Sequence, residues 1–437
     1  MNLLLSVAVA LIAGLMMTRL LKKLKLGLPD VTAFLVAGVL VGPYVLGRIG
    51  VSGLGFASMD EISEVSFLST VALGFIAFDI GNEFRLGQLK KTGKTATVIG
   101  IVQAVCATLF VDIALVGLHF VLGEDKLPLP VAVTLGAIAS ATAPAATLMV
   151  VRQYKAKGPL TDLLLPIVAL DDAVGLVLFA VSFGVAQALD GGSINAVSVI
   201  VNPLVEIICS LILGSIMGWL LTQLEKLFFS NKNRLSLTIA FVVMTIALAG
   251  SEIELGGSGI KISFSSLLVC MMLGTVFCNL SEYSVDIMKR SERWTAPLYT
   301  VFFVLSGAQL ELSVFKSGWI ILIGAVYIII RCLGKYFGSL FSSAVMKCDN
   351  NVKKYLGITL FPQAGVALGM VVSAQALGAE HGSTIRNIIL FSVLIYELVG
   401  PMLTKKSLEN AGEIEKPVSE AENRARFEKK VKADEAK

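Results

Sequence analysis

Long apolar runs separated by short polar turns recur along the whole chain, and this recurrence limits its architecture more than any other feature. Thirteen runs can be marked. They lie at about residues 3–21, 29–47, 62–82, 95–122, 129–151, 160–188, 198–224, 234–250, 263–280, 294–311, 317–345, 354–378 and 384–404. A helix crosses the hydrocarbon core with roughly 20 residues, and backbone polar groups in lipid must be satisfied within the segment. The runs therefore read as transmembrane helices of an all-α polytopic membrane protein. Composition agrees: 55% of residues are hydrophobic and only 16% charged, against about 25% charged in soluble domains. Residues 405–437 form a short charged tail, too small for a nucleotide-binding regulatory domain.

The placement of charge tests this segmentation. Every second connection is basic, beginning with Arg19, Lys22, Lys23 and Lys25, then Arg85, Lys90, Lys91 and Lys94, then Arg152, Lys155 and Lys157. The series continues with Lys226, Lys232 and Arg234, with Lys289, Arg290 and Arg293, and with Lys347, Lys353 and Lys354. The intervening connections carry at most one basic residue each. An excess of Lys and Arg marks cytoplasmic loops, so the expected orientation in a plasma (inner) membrane has the N-terminus outside and the C-terminus in the cytoplasm. The first run has its basic residues behind it, the reverse of a signal peptide, and is expected to stay as an uncleaved helix.

Several classes of site are not signalled. Six cysteines lie singly along apolar runs without a CxxC pair, as small core hydrophobes do. His119 and His381 are far apart, which argues against zinc. No cofactor, nucleic-acid partner or enzymatic activity is expected.

The informative residues are the charges at membrane depth. Asp171 and Asp172 stand side by side within the sixth run. A charge at bilayer depth costs about 2.5–3.5 kcal/mol on insertion scales, so the pair needs a cation, a proton or a basic partner. Neighbours on a helix point about 100° apart; one carboxylate can face a cation while the other faces a counter-charge. Once tail and connections are assigned, only Arg331 and Lys335 remain of the 36 basic residues. They lie at i and i+4 on one helix face. Lysine gives up its charge more readily than arginine when buried, which favours Lys335 as the aspartates' partner and Arg331 as a fixed charge, although the reverse order also fits the spacing.

Two runs are interrupted at corresponding places: Ser140-Ala141-Thr142-Ala143-Pro144 in the fifth and Phe361-Pro362-Gln363-Ala364-Gly365 in the twelfth. Proline breaks the helix ladder, and unwound backbone at membrane depth survives where it lines a cavity or is buried in protein. The fifth and twelfth runs correspond if the chain holds two six-helix repeats, at about 1–190 and 234–404, joined by a linker helix at about 198–224. Paired broken helices point to inverted repeats with a site near the midplane. Asp79 and Glu83 fall where the third run meets the cytoplasm; they could attract cations into an inward funnel or be ordinary interfacial charges. Asp112 and Glu397 lie deeper, with no partner evident from the sequence.

These stretches resemble the monovalent cation/proton antiporters, in particular the branch with an adjacent aspartate pair (NapA- and NhaA-like). L-D-D-A-V-G-L-V-L is similar to that branch's ion-site helix, and A-T-A-P and F-P-Q-A-G-V-A-L-G to its crossed broken helices. L-G-K-Y-F-G is similar to its lysine-bearing helix, and G-N-E-F to the stretch ending its third span. The resemblance implies thirteen spans, a core domain moving like an elevator against a dimer domain, and a homodimer; Ala10, Ala13 and Gly14 offer a small-residue face for helix contact. It also implies that Asp172 is the ion and proton carrier, that Asp171 pairs with Lys335, and that Thr142 and the broken-helix backbone add neutral oxygens. The departures are Arg331 on the lysine helix, and Gln363 and Ala364 where many relatives carry charge.

The expected function is electrogenic exchange of sodium or lithium for protons, with Asp171 and Asp172 as the oxygen ligands of the cation. Potassium/proton exchange is the alternative, followed by a receptor on the same scaffold that transports nothing. An intramembrane aspartyl protease would place its acids on two helices, one in a G-x-G-D motif absent here, and no charge ring or carbonyl filter loop indicates a channel.

Overall fold

A computed structural model describes residues 2–24, 28–51, 53–190, 202–251, 253–254, 261–309 and 318–414. Its first half holds α1 (Asn2–Lys23), α2 (Asp30–Val41), α3 (Met59–Glu64), α4 (Ser66–Glu83), α5 (Leu86–Leu122), α6 (Leu129–Ile138), α7 (Pro144–Gln153) and α8 (Pro159–Leu189). The second half holds α9 (Asn202–Glu225), α10 (Asn231–Ala249), α11 (Ser266–Leu280), α12 (Ser284–Ala308), α13 (Gly318–Val345), α14 (Asn350–Thr359), α15 (Gly365–Ala374) and α16 (Ala379–Asn410). The all-helical expectation needs one small amendment, an antiparallel pair of two-residue strands, Ile253–Glu254 with Lys261–Ile262. Eight helical stretches among the described residues are long and apolar enough to cross a membrane.

The fifth run divides into α6 and α7, and the twelfth into α14 and α15. Both breaks come just before or around the prolines. Pro144 occupies the first turn of α7, where its missing N–H costs nothing, and Pro362 lies in the non-helical stretch between α14 and α15. The breaks cross: the Ala143 N–H donates to the Pro362 carbonyl at 2.8 Å.

Packing sorts the helices into two groups, each drawn from both halves of the chain. In one, α5 and α13 lie side by side, with α6, α7, α8, α14, α15 and α16 around them; in the other, α1–α4 pack with α9–α12. Close approach is achieved with glycine. On α2, a Cβ at Gly38 would overlap the Val304 carbonyl of α12, and one at Gly307 would overlap the Leu35 carbonyl. The first helix corrects an expectation. Ala10 is buried, and a Cβ on Gly14 would meet Val304, Thr300 and Phe34 at 3.0–3.3 Å. Most of that small face is covered from within the chain by α12 and α2, not left open for a second copy. The groups meet where α2, α4 and α9 touch α7, α8 and α16.

The last helix continues past residue 404. Lys405-Lys406-Ser407-Leu408-Glu409-Asn410 continues α16, since lysine, leucine and glutamate are good helix formers. The chain then turns so that Glu413 caps α8: its carboxylate accepts from the Leu160 N–H at 2.7 Å and the Thr161 N–H at 2.8 Å. The rest of the tail, from 415, lies outside the described residues.

Candidate functional site

The crossing of the broken helices leaves four half-helix ends in the interior, and side chains from α5, α8 and α13 are packed against them. Arg331 reaches the C-terminal ends of both half-helices. Its guanidinium donates to the carbonyls of Ala139 at 2.9 Å, Ala141 at 2.5 Å and Phe361 at 2.8 Å, and its plane lies over the Tyr396 ring. A cation there compensates the negative ends of α6 and α14. Gln363, buried, donates to the Ile138 carbonyl at 2.9 Å and shares a hydrogen bond with the Tyr327 hydroxyl. Gln363 thus caps the same helix end, with a neutral side chain.

One turn along α13, Lys335 is wholly buried and has an acceptor for each of its three protons. They are the Ser140 carbonyl at 2.6 Å, Thr142 Oγ1 at 2.9 Å and Asp171 Oδ2 at 3.1 Å. Of the two orders that the spacing left open, the structure has lysine on the aspartate and arginine on the backbone. Asp171, with 0% exposure, is equally saturated: Thr142 donates to Oδ2 at 2.5 Å, and the Gln103 amide donates to Oδ1. Asp172 differs. It is 6% exposed, and its buried Oδ1 has no hydrogen-bond partner among the described residues. Two neighbouring carboxylates thus have opposite surroundings, one saturated by an ammonium and neutral donors, one with a buried oxygen that has no donor among the described residues.

The family model for "sodium/hydrogen exchanger, transmembrane" matches residues 7–408. The chain belongs to the sodium/hydrogen exchanger family. This is a family of transporters. Among curated proteins, the chain is similar to the K(+)/H(+) antiporter subunit KhtU of Bacillus subtilis, at 24% identity over 85% of this chain and 86% of that one. It is also similar to the high-affinity Na(+)/H(+) antiporter NhaS3 of Synechocystis, at 24% identity over 90% and 87%. In fold it resembles the sodium proton antiporter MjNhaP1 of Methanocaldococcus jannaschii. Two structures of that protein align with TM-scores of 0.65 and 0.72, at 18% and 17% identity, over 94% of this chain and 97–98% of theirs.

In this exchanger the expectation for Asp79 is overturned. Asp79 is fully buried, ion-paired to Arg152 at 2.6 Å and accepting from the Tyr299 hydroxyl at 2.5 Å. A carboxylate neutralised by a guanidinium offers no attraction to a passing cation. Its partner Arg152 lies 73 positions away on α7, which the sequence alone does not show. The side chain of Glu83 lies outside the described residues. A cavity of about 620 Å³ lies between the two helix groups; most of its lining is uncharged, and its charged residues are mainly basic, with Arg85, Arg152, Lys155, Lys157 and Lys289 against Asp162 and Glu292. Leu165 and Pro166 of α8 also line it, about two turns or less from Asp171.

Sequence reasoning missed Gln103. Two glycines bring it into place: a Cβ on Gly338 would come within 2.8 Å of the Gln103 Cα, and one on Gly334 within 2.7 Å of the Ala107 Cα. These glycines flank Lys335 on α13 and let α5 press against the site. The available signal was modest: Gln103 is the only amide side chain between positions 97 and 122, in a run that also carries Thr108, Asp112 and His119.

Proposed function

We propose that the protein exchanges a monovalent cation for protons across the membrane, with Asp172 as the carrier and Asp171 as the counter-charge of Lys335. The observation that carries this reading is the asymmetry of the pair: every oxygen of Asp171 has a donor, whereas Oδ1 of Asp172 has none. A cation arriving at Asp172 also meets Asp171 and competes there with the Lys335 ammonium. Proton and cation are then alternatives at the same carboxylates, which is the requirement for obligatory exchange. With two carboxylates and one ammonium able to exchange protons, more than one proton moves per cation, and transport carries current.

The cation is sodium or lithium in this reading, since hard cations prefer carboxylate, hydroxyl and carbonyl oxygens and no soft ligands stand nearby. Potassium is the second reading, favoured by the likeness to KhtU. In this reading the group holding α5–α8 and α13–α16 is the moving core of an elevator, and the group holding α1–α4 and α9–α12 the fixed and dimer-forming part; the division of the helices into two groups supports it. The cavity beside Pro166 lies on the side of the basic connections, which the orientation read from those charges places toward the cytoplasm.

Cation-induced proton efflux from acid-loaded proteoliposomes tests this, comparing sodium, lithium and potassium with and without a valinomycin clamp. Sodium- or lithium-driven efflux whose rate changes under the clamp is the expected result. A potassium-only signal insensitive to the clamp moves the assignment to potassium/proton exchange, and no flux from folded protein contradicts antiport.

A further inference from the structure

Gln103 is a buried amide whose two ends are treated differently. Its Nε2 donates to the Gly100 carbonyl at 2.9 Å and to Asp171 Oδ1, while its Oε1, also buried, has no hydrogen-bond partner among the described residues. The orientation is fixed by these contacts, since turning the amide over would set its oxygen against a carbonyl and a carboxylate. A buried amide oxygen left without a donor is costly, and the protein retains one beside its most highly charged cluster. Oδ1 of Asp172, on the residue next to the one Gln103 holds, is likewise buried without a hydrogen-bond partner among the described residues. Two unused oxygens therefore flank Asp171, one neutral and one anionic.

We propose that Gln103 is a specificity-determining residue of the cation site: Nε2 holds the Asp171 carboxylate in place, and Oε1 enters the cation's oxygen shell as a neutral ligand. The inference rests on the antiport reading above and adds a ligand to it. When a cation displaces the Lys335 ammonium from Asp171 Oδ2, Gln103 keeps Oδ1 anchored, so the carboxylate does not turn to follow the lysine. The position of Oε1 is set by close packing of the Gln103 backbone against Gly338 together with the two Nε2 hydrogen bonds. A ligand held by packing cannot adjust freely to ionic radius, and that is how it discriminates among sodium, lithium and potassium.

The test uses the full-length protein in proteoliposomes, measuring apparent KM and maximum rate separately for each cation. Gln103→Leu keeps the bulk and removes both polar ends. It should raise KM for the preferred cation about ten-fold, equivalent to about 1.4 kcal/mol, and change the sodium-to-potassium preference several-fold. Its effect on maximum rate should be smaller than its effect on KM. Gln103→Glu, which keeps an oxygen at the position, should fall between wild type and Gln103→Leu in KM. The cation-dependent rise in melting temperature should shrink in the same order. If Gln103→Leu is not monodisperse, Gln103→Met carries the same expectation. An unchanged KM and cation preference in either folded variant, beside a normally exchanging wild type, overturns the inference alone and leaves Gln103 a packing residue. A wild type that exchanges no cation overturns the antiport reading and this inference with it.

Discussion

At the scale of the residue, the site is governed by how donors and acceptors are matched. Lys335 and Asp171 are each fully partnered, with Thr142 accepting from one and donating to the other. Removing one member of such a pair leaves an uncompensated buried charge, at about 3–5 kcal/mol. Lys335→Ala is therefore expected to lower the melting temperature sharply and to reduce exchange. The double replacement Asp171→Asn/Lys335→Gln should recover most of the stability, though not the exchange, in thermal unfolding and flux measurements on the same preparations. Much of this was legible beforehand. A charge within an apolar run declares itself, so Asp171, Asp172, Lys335 and Arg331 could be singled out at once. Gln103 could not, because an uncharged amide costs little enough in a helix to need no explanation. Asp79 was visible but misread, since its neutralising partner is distant in the chain.

At the scale of the element, the breaks matter as much as the charges near them. Unwinding α6 from α7 and α14 from α15 exposes carbonyl ends in the interior, and Arg331 collects three of those carbonyls from both breaks. A planar fork does this; an ammonium on a flexible stem does not. Arg331→Lys is accordingly expected to lose most of the stability lost by Arg331→Ala, and thermal melts of the two variants side by side check it. Prolines announced the breaks, but the crossing itself required knowing which unwound stretch faces which. The cap on α8 was similarly hidden. Glu413 lies more than 250 positions from Leu160 and Thr161, in a stretch whose composition read only as polar tail. Glu413→Ala should cost about 1–2 kcal/mol, the range for losing an N-cap, measurable as a drop in melting temperature.

At the scale of the whole molecule, two helix groups made from interleaved parts of the chain share an interface that holds both a cavity and an ion pair. Asp79 of α4 and Tyr299 of α12 belong to one group, Arg152 of α7 to the other. Any sliding of one group past the other must strain this contact. Tyr299→Phe removes one hydrogen bond to a charged acceptor, about 1.5–3 kcal/mol; it should lower stability in the conformation described here and alter the turnover rate more than the cation KM. The segmentation and the alternating basic connections were readable because apolar length and charge asymmetry are local properties. How the segments sort into groups was not, because it depends on contacts such as Gly38 with Val304 and Gly307 with Leu35, which join residues far apart in sequence.

In the proposed function, exchange passes through the aspartate pair. Its most direct test compares sodium-, lithium- and potassium-driven proton efflux from proteoliposomes holding wild type, Asp172→Asn or Asp171→Asn/Asp172→Asn. Efflux is expected from the wild type, none from Asp172→Asn and none from the double variant, with all three proteins monodisperse. Cation-driven proton movement persisting in the double variant would contradict that function.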